Sequence, residues 1–376
     1  MNRNAGAFLN VEGLVNKKAV VRSHKTVQLL LFGVSSMKDE WISSDILGTN
    51  SYQLTGGYID SISERAKTRE MDPYNDVIEF IPVRGRKDIC ELSIVYAPSG
   101  IDRRWDELLY IVEETQAEFL YNSRYLWPVD CVSGKNSFGY IVRRYPGAQY
   151  MGIAEFFAKP MAERWKLSEK LIKAVEKIHA GGFALNGITR EQIRVDKGSG
   201  DVLIYPGFSL SPADTCRYDD YRGGFFLIPE KIRKDAADVF TARMHDIFSI
   251  ASMVFYLLFY THPFIGGKFW PYSHDQYYPQ YSNHPEFIFA KDSGNSLQNL
   301  EFDNVIADQW ERTSPALKGL YNDLYGEICS SRKWRSHLDV WNLSYWLEAV
   351  GRDAEINDNE RSRSDFPFET VVNYKV

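Results

Sequence analysis

Residues 179–211 read HAGGFALNGITREQIRVDKGSGDVLIYPGFSLS, a segment that places a short hairpin between helices. The apolar stripe that leads into it has helical spacing and stops at Gly181–Gly182, where two glycines indicate the end of a helix. The strand-like segments QIRVD (192–196) and DVLIY (201–205) follow, joined by the turn KGSG (197–200). We therefore predict a helix, a loop, a β-hairpin and a second loop, in that order.

The rest of the chain changes from strand patterns to helical patterns. DVIEFIPV (76–83) and ICELSIVYA (89–97) alternate polar and apolar residues as half-buried strands do. After Pro146 apolar residues recur at helical spacing, and the most apolar helix is predicted at 246–260. Strands followed by helices predict the α+β class, with a β-rich N-terminal lobe and a mostly α-helical C-terminal lobe that meet near Tyr145–Gly147.

These patterns divide the chain into four segments. Residues 1–75 form a β-rich extension or the start of the first lobe, and they include the buried-strand pattern VQLLLFGV (27–34). Residues 76–145 and 146–351 are predicted to form the two lobes. Residues 352–376 are charged and show no sustained apolar period, so we predict a loose C-terminal tail.

The composition narrows the class of protein. Apolar residues make up 44% of the 376 residues and aromatic residues 14%, which suffices for a large core and excludes a wholly disordered chain. A net charge of −6 argues against nucleic acid or an anionic membrane as the main partner. The apolar run 247–260 is shorter than the about 20 residues of a membrane span. With no C-x-x-C pair and no signal-peptide pattern, we predict a cytoplasmic protein without a zinc site.

Several motifs occur in the order that is typical of protein kinases. In that family a helix ending in glycine leads to His-Arg-Asp, four residues, Asn, a hairpin and Asp-Phe-Gly, and residues 179–211 resemble this arrangement. IPE (228–230) resembles the Ala-Pro-Glu motif. HDIFSIASMVFYLLFYTHPFIG (245–266) resembles the helix that begins with an Asp and ends in a His-Pro-Phe-type turn, and RSHLDVW (335–341) takes the place of an Arg-Pro motif.

Further segments narrow this resemblance to one group of bacterial kinase-like proteins. They are WPVDCV (127–132), FGYIVRRYPG (138–147), NHPEFIFAKDSGNS (283–296) and WERTSPALKGLY (310–321). That group is often linked to von Willebrand-type proteins and to PP2C-type phosphatases. The resemblance extends over about residues 120–345, and it implies the bilobal protein-kinase fold.

The resemblance also assigns positions to the catalytic groups, and this chain has other residues there. Gly187 stands where a kinase has its catalytic Asp, and Gln192 replaces the metal-binding Asn. Tyr205, or Gly207 in a shifted register, replaces the Asp of Asp-Phe-Gly, and Val95 takes the place of the phosphate-binding Lys. Mg²⁺ prefers anionic oxygen ligands. We therefore expect no catalytic residue, no metal ion and no cofactor beyond weak nucleotide binding without Mg²⁺.

Residues that hold a kinase fold together are retained. Glu230 and Arg335 occupy the positions of a buried ion pair in kinases, and Pro229 belongs to the same motif as Glu230. Removal of one member of a buried ion pair costs about 3–5 kcal/mol. Asp246 is predicted to cap its helix and to hold the backbone of the loop around Gly187.

The segment KFWPYSHDQYYPQY (268–281) is rich in aromatic residues. Packing within the second lobe explains such a cluster, but an exposed cluster is a candidate protein-binding surface. The residues of this candidate surface are Trp270, Tyr272, Tyr277, Tyr278 and Tyr281.

The retained framework and the missing acids predict a pseudokinase, a catalytically inactive scaffold or allosteric regulator of protein partners. The resemblance implies that the partner is a kinase, a phosphatase or a von Willebrand-type protein. One alternative is an atypical kinase or nucleotidyl transferase that recruits Asp196, Asp201 or Glu191. Another is a nucleotide-sensing module whose occupancy changes the closure of the lobes.

Overall fold

The computed structural model describes these parts of the chain: residues 41–43, 51–54, 79–84, 89–96, 101–115, 119, 122, 124–133, 137–143, 147–156, 159–206, 209–215, 226–235, 240–268, 281–283, 285–290, 293–297, 303–328 and 338–360. The strand pattern at 27–34 lies outside them.

Six strands from the first part of the chain form one antiparallel sheet in the order β1-β2-β3-β4-β6-β5. Strand β4 pairs with β6 from Cys90 opposite Arg143 to Tyr96 opposite Ser137. The strands predicted at 76–83 and 89–97 are confirmed as β3 and β4. The bounds of the six strands are Trp41–Ser43 (β1), Ser51–Leu54 (β2), Glu79–Arg84 (β3), Ile89–Tyr96 (β4), Asp130–Ser133 (β5) and Ser137–Arg143 (β6).

The remaining described residues are mostly helical. Strand β9 lies between β10 and β7 in a three-stranded antiparallel sheet, and β8 pairs with β11. The hairpin predicted between the helices is confirmed as β9 and β10. The described chain is therefore a mixed helix-and-sheet protein in which helices predominate. The strands are Tyr150–Gly152 (β7), Phe183–Ala184 (β8), Ile193–Asp196 (β9), Val202–Ile204 (β10) and Ser211–Pro212 (β11). The helices are Ile101–Glu114 (α1), Ile153–Phe156 (α2), Met161–Ala180 (α3), Glu230–Asp235 (α4), Ala242–Phe259 (α5), Asp303–Arg312 (α6), Pro315–Tyr321 (α7, continued by π-helical Asn322–Ile328) and Leu343–Glu360 (α8).

Helix α5 lies at the centre of the helical core. Among the described helices, α5 is long and apolar enough to cross a membrane. However, 83% of its apolar stretch is buried inside the protein. The burial is that of a core helix, as the sequence predicts. Full burial of each large apolar side chain contributes about 1.5–3 kcal/mol. Aromatic side chains on and around α5 that contact one another include Phe248, Phe255, Phe259, Phe287, Phe289, Trp310, Tyr321 and Tyr325.

The helix begins and ends with recognisable caps. Thr241 Oγ1 accepts a hydrogen bond from the N–H of Met244, so Thr241 is the N-cap. The prediction that Asp246 caps this helix is therefore wrong, because the helix starts a turn earlier than its sequence pattern indicated. At the other end Tyr260 adopts a left-handed conformation with φ 58°. Its hydroxyl accepts a hydrogen bond from the fully buried guanidinium of Arg164 on α3.

Helix α8 corrects one predicted boundary. The sequence predicts a loose tail over 352–376, but α8 continues to Glu360, so the prediction is wrong for the part that the structure describes. Asp353 is buried, and its Oδ2 accepts a hydrogen bond of 3.0 Å from the N–H of Ser314 at the start of α7. Asp353 thus supplies an acceptor to a neighbouring helix end, which places this part of α8 within the packed protein. The rest of the tail lies outside the described residues.

An aromatic cluster joins the segment after α1 to the end of α3. The Phe119 ring stacks on Trp127 with centroids 4.5 Å apart, and Trp127 meets Phe183 edge to face. Phe119 also covers Gly181 so closely that a Cβ on this glycine would lie 2.6 Å from the ring. The glycine that ends α3 is therefore required for packing.

We expect the Gly181→Ala substitution to destabilise the protein by about 1–3 kcal/mol, because the added methyl group overlaps the Phe119 ring. The matched control is Gly319→Ala in α7, where a Cβ meets nothing within 4 Å. This control is expected to gain about 0.5–1 kcal/mol from helix propensity. Urea denaturation followed by circular dichroism measures both values, and equal effects of the two substitutions would contradict the close packing.

Candidate functional site

The loop between β8 and the hairpin is held by one buried carboxylate. Asp246 on α5 is fully buried. Its Oδ2 accepts a hydrogen bond from the N–H of Leu185 at 2.7 Å, and its Oδ1 accepts one from the N–H of Gly187 at 2.8 Å. Asp246 therefore holds the loop backbone, as expected from the sequence. Hydrogen bonds from backbone N–H groups to a carboxylate are charge-assisted and short, which makes this contact strong.

His179 completes the surroundings of this carboxylate. Its Nε2 lies 3.0 Å from Oδ2 of Asp246, and the residue is only 6% exposed. Because a carboxylate only accepts hydrogen bonds, the imidazole donates from Nε2. The sequence patterns did not identify this role for His179. Its position one turn after Val175, on the buried stripe of α3, is the signal that indicates an inward-facing imidazole.

The loop turns through two residues with positive φ. Asn186 has φ 51° and Gly187 has φ 94°. A Cβ at Gly187 would lie 2.8 Å from Cδ2 of Leu227 and would also approach Ser249 on α5. Only glycine adopts this conformation without strain. The position at which the resemblance places a catalytic Asp is therefore occupied by a left-handed turn in which any side chain would be strained.

Gln192 spans the loop and the segment after the hairpin. Its Nε2 donates hydrogen bonds of 2.9 Å to the carbonyl oxygen of Pro206 and of 2.9 Å to Oγ of Ser209. Its Oε1 accepts a hydrogen bond of 2.9 Å from the N–H of Thr189. The side-chain amide therefore donates and accepts hydrogen bonds at the same time. The side chain at the implied metal position is engaged in hydrogen bonds within the protein.

The resemblance also assigns catalytic positions to Tyr205, Val95 and Gly207. The N–H of Tyr205 donates to the carbonyl oxygen of Gln192 at 2.7 Å. Val95 lies in β4 opposite Phe138 of β6. Gly207 lies outside the described residues.

The two aspartates that flank the hairpin turn are both engaged. Oδ1 of Asp196 accepts hydrogen bonds from the N–H of Gly198 at 2.9 Å and of Ser199 at 2.7 Å. The bond from the Ser199 backbone is the main cause that lowers the pKa of Asp196. Asp201 pairs with Lys170 at 2.9 Å, and the hydrogen bond from Lys170 lowers its pKa. Lowered pKa values make both carboxylates poor proton acceptors at neutral pH.

Two further acids also have basic neighbours. Glu191 pairs with Arg190 at 2.8 Å on the surface. The Glu230 side chain is 40% exposed and pairs with Lys234 one turn along α4. The prediction that Glu230 is buried is wrong, because it begins α4 at the surface, where an i,i+4 partner is within reach. Pro229 beside it is buried, and Arg335 lies outside the described residues.

One aromatic residue of the segment 268–281 lies in the described chain. Tyr281 is fully buried, with its ring 4.7 Å from that of His262 and 6.2 Å from that of Phe264. Its assignment to a partner surface is therefore wrong, since it packs into the core beside the end of α5. The other members of the candidate surface lie outside the described residues; they are Trp270, Tyr272, Tyr277 and Tyr278.

Comparison with known proteins identifies no family for this chain. No protein-family model matches the chain, and no curated protein matches it significantly. Within the described ranges, no group of three or more His, Cys, Asp or Glu side chains has the arrangement of a metal site. The resemblance to kinases rests on the motifs quoted from the sequence.

We expect Asp246→Asn to lower the free energy of unfolding by about 2–4 kcal/mol, because an amide NH₂ group then faces backbone N–H donors in the interior. The matched control is Asp308→Asn on the exposed side of α6. It should change stability by less than about 0.5 kcal/mol. Urea denaturation at pH 7.5 compares them, and similar losses would exclude a special role for Asp246.

His245, next to Asp246, predicts a pH dependence of stability. Burial, followed by the charge of Arg233, lowers the pKa of His245 to about 3. The unfolded chain binds the proton with a pKa of about 6.5, so stability is complete above pH 6.5 and is lost as the pH falls toward 3. At pH 5 this loss amounts to about 2 kcal/mol.

The change in unfolding free energy between pH 7.5 and pH 5 tests this expectation. His245→Gln removes the titrating group, so this variant should lose about 2 kcal/mol less than the wild-type protein over the same interval. Equal losses in the two proteins would show that His245 does not titrate in this way.

Proposed function

We propose that this protein is a pseudokinase: a catalytically inactive, kinase-shaped scaffold or allosteric regulator of protein partners. The six-stranded sheet with α1 would form its β-rich N-terminal lobe, and the elements from β7 to α8 its mostly α-helical C-terminal lobe. The observation that carries the proposal is the turn at Gly187. The implied position of the catalytic base has a positive φ of 94°, and a Cβ there would lie 2.8 Å from the end of the Leu227 side chain.

The contacts of the loop support the same proposal. Asp246 fixes the backbone of the loop from α5, which is the framework role that the resemblance assigns to this residue. A framework that is retained around a position without an acid is what a pseudokinase requires. Catalysis by phosphoryl transfer depends on positioned carboxylates and metal ions.

The acids nearest the hairpin offer little support for an active enzyme. Asp196 accepts the turn N–H groups, Asp201 pairs with Lys170, and Glu191 pairs with Arg190. Recruitment of any of these groups as a metal ligand or general base would compete with these contacts. An atypical kinase or transferase is therefore the less favoured reading.

The proposal extends to partners and place in the cell. A protein without catalytic groups acts through its surfaces, so the expected ligand is another protein, with a kinase, a phosphatase or a von Willebrand-type protein as the candidates that the resemblance implies. Nucleotide binding in the absence of Mg²⁺ and a cytoplasmic location belong to the same proposal.

An assay of phosphate transfer from radiolabelled ATP tests the proposal directly. We expect no transfer above background to the protein itself or to candidate partner proteins in the presence of Mg²⁺, and no rise in Tm when ATP and Mg²⁺ are added together. Transfer that disappears on Asp196→Ala or Asp201→Ala would establish an enzyme instead. A Tm increase with nucleotide in EDTA that exceeds the small effect of weak binding would indicate a nucleotide-sensing module.

Restoring the missing acid should not restore activity. We expect Gly187→Asp to remain inactive and to lose about 1–3 kcal/mol of stability, because the backbone at this position is left-handed. Gly198→Ala is the matched control, since its Cβ would meet Asp196 at an ordinary 3.4 Å. A stable Gly187→Asp protein that transfers phosphate would overturn this expectation.

A further inference from the structure

The exposed face of helix α8 carries two large apolar side chains in one line. Tyr345 is 45% exposed and Ile356 is 51% exposed. Ile356 follows Tyr345 by eleven positions, which in an α-helix amounts to three turns and about 20°. The two side chains therefore lie on the same face, about 16 Å apart along the helix axis. Among the described residues, Tyr110 on α1 is the other large apolar side chain of comparable exposure.

Two charged residues lie between them on the same face. Glu348 and Arg352 form an ion pair one turn apart, and both side chains are more than half exposed. The opposite face of α8 is buried through residues such as Trp346 and Val350, and the helix packs against α3 and α7. The stripe therefore runs along the outer side of a helix that is firmly packed on its inner side.

This order of side chains is self-complementary under a two-fold rotation. If a second α8 lies antiparallel to the first, with the rotation axis between positions 350 and 351, Tyr345 faces Ile356 of the second copy. In the same arrangement Glu348 faces Arg352 of the second copy, and each contact occurs twice, as two-fold symmetry requires. A parallel pair would instead place Glu348 beside Glu348 and Arg352 beside Arg352, where like charges repel. The charges thus favour an antiparallel pair of identical helices.

We propose that the outer face of α8 is a homodimerisation surface that binds α8 of a second copy of this chain in antiparallel orientation. Burial of Tyr345 and Ile356 supplies the driving force, and the charges between them fix the orientation. A contact over about three turns of one helix is small compared with the about 1,200–2,000 Å² that stable interfaces bury, so we expect a weak dimer. This inference goes beyond the pseudokinase proposal and does not depend on the turn at Gly187.

Sedimentation equilibrium of the full-length protein tests the proposal. At pH 7.5 and protein concentrations from about 5 to about 500 µM, we expect a monomer–dimer equilibrium with a Kd of about 10–100 µM. Ile356→Gln removes one apolar contact at each end of the interface and should raise the Kd at least about ten-fold. A wild-type protein that stays monomeric throughout this range would overturn the proposal, as would an unchanged Kd for Ile356→Gln.

Charge reversal tests the antiparallel orientation. Glu348→Arg alone gives every copy two positive charges on the stripe, and Arg352→Glu alone gives two negative charges. Each single variant should therefore dimerise at least about ten-fold more weakly than the wild-type protein. The double variant, Glu348→Arg with Arg352→Glu, restores complementarity, so its Kd should return to within about three-fold of the wild-type value. A mixture of the two single variants should form a heterodimer. Failure of both the double variant and the mixture to recover association would contradict the antiparallel pairing.

A control separates the stripe from the overall charge of the protein. Asp308→Arg on the exposed side of α6 changes the net charge by the same amount as Glu348→Arg, and it should leave the Kd unchanged. Equal weakening by these two substitutions would show that net charge governs association, and it would overturn the assignment to α8. Circular dichroism of each variant should match the wild-type spectrum, because all the substituted side chains are exposed.

Discussion

The carboxylate of Asp246 is the contact on which the central part of this protein depends. It has no access to water, and burying a charge is costly unless hydrogen bonds replace its hydration. Two backbone N–H groups of the 185–187 loop and the imidazole of His179 provide those bonds. Because the three donors come from the loop and from α3, satisfying one carboxylate on α5 fixes the relative position of all three elements.

This anchoring determines what the loop can do chemically. The N–H of Gly187 is directed at Asp246, the backbone at Gly187 has positive φ, and the end of the Leu227 side chain lies close to where a Cβ would be. The absence of a proton acceptor there is therefore a property of the backbone as well as of the residue type. The Gln192 side chain, at the implied metal position, is likewise held in place, because its amide forms hydrogen bonds with neighbouring loop atoms.

The aromatic core gives this arrangement its rigid support. Helix α5 is apolar on nearly every side, so it is stable only where other elements cover it completely. Phe255 meets Tyr321 edge to face, and Trp310 stacks on Phe289 with centroids 4.1 Å apart. Close packing of this kind resists small displacements, which keeps Asp246 at a constant distance from its donors.

Local sequence patterns were sufficient to predict the hairpin, the long helices and the strands β3 and β4. These elements depend on turn residues and apolar periodicity, which act over a few positions. They were insufficient for contacts between distant segments. His179 meets a carboxylate 67 positions away, and Asp353 supplies an acceptor to Ser314, which lies 39 positions earlier. Likewise, the exposure of Glu230 and the burial of Tyr281 depend on which faces meet when the helices pack. That choice follows from the sum of many long-range contacts, so only the folded chain determines it.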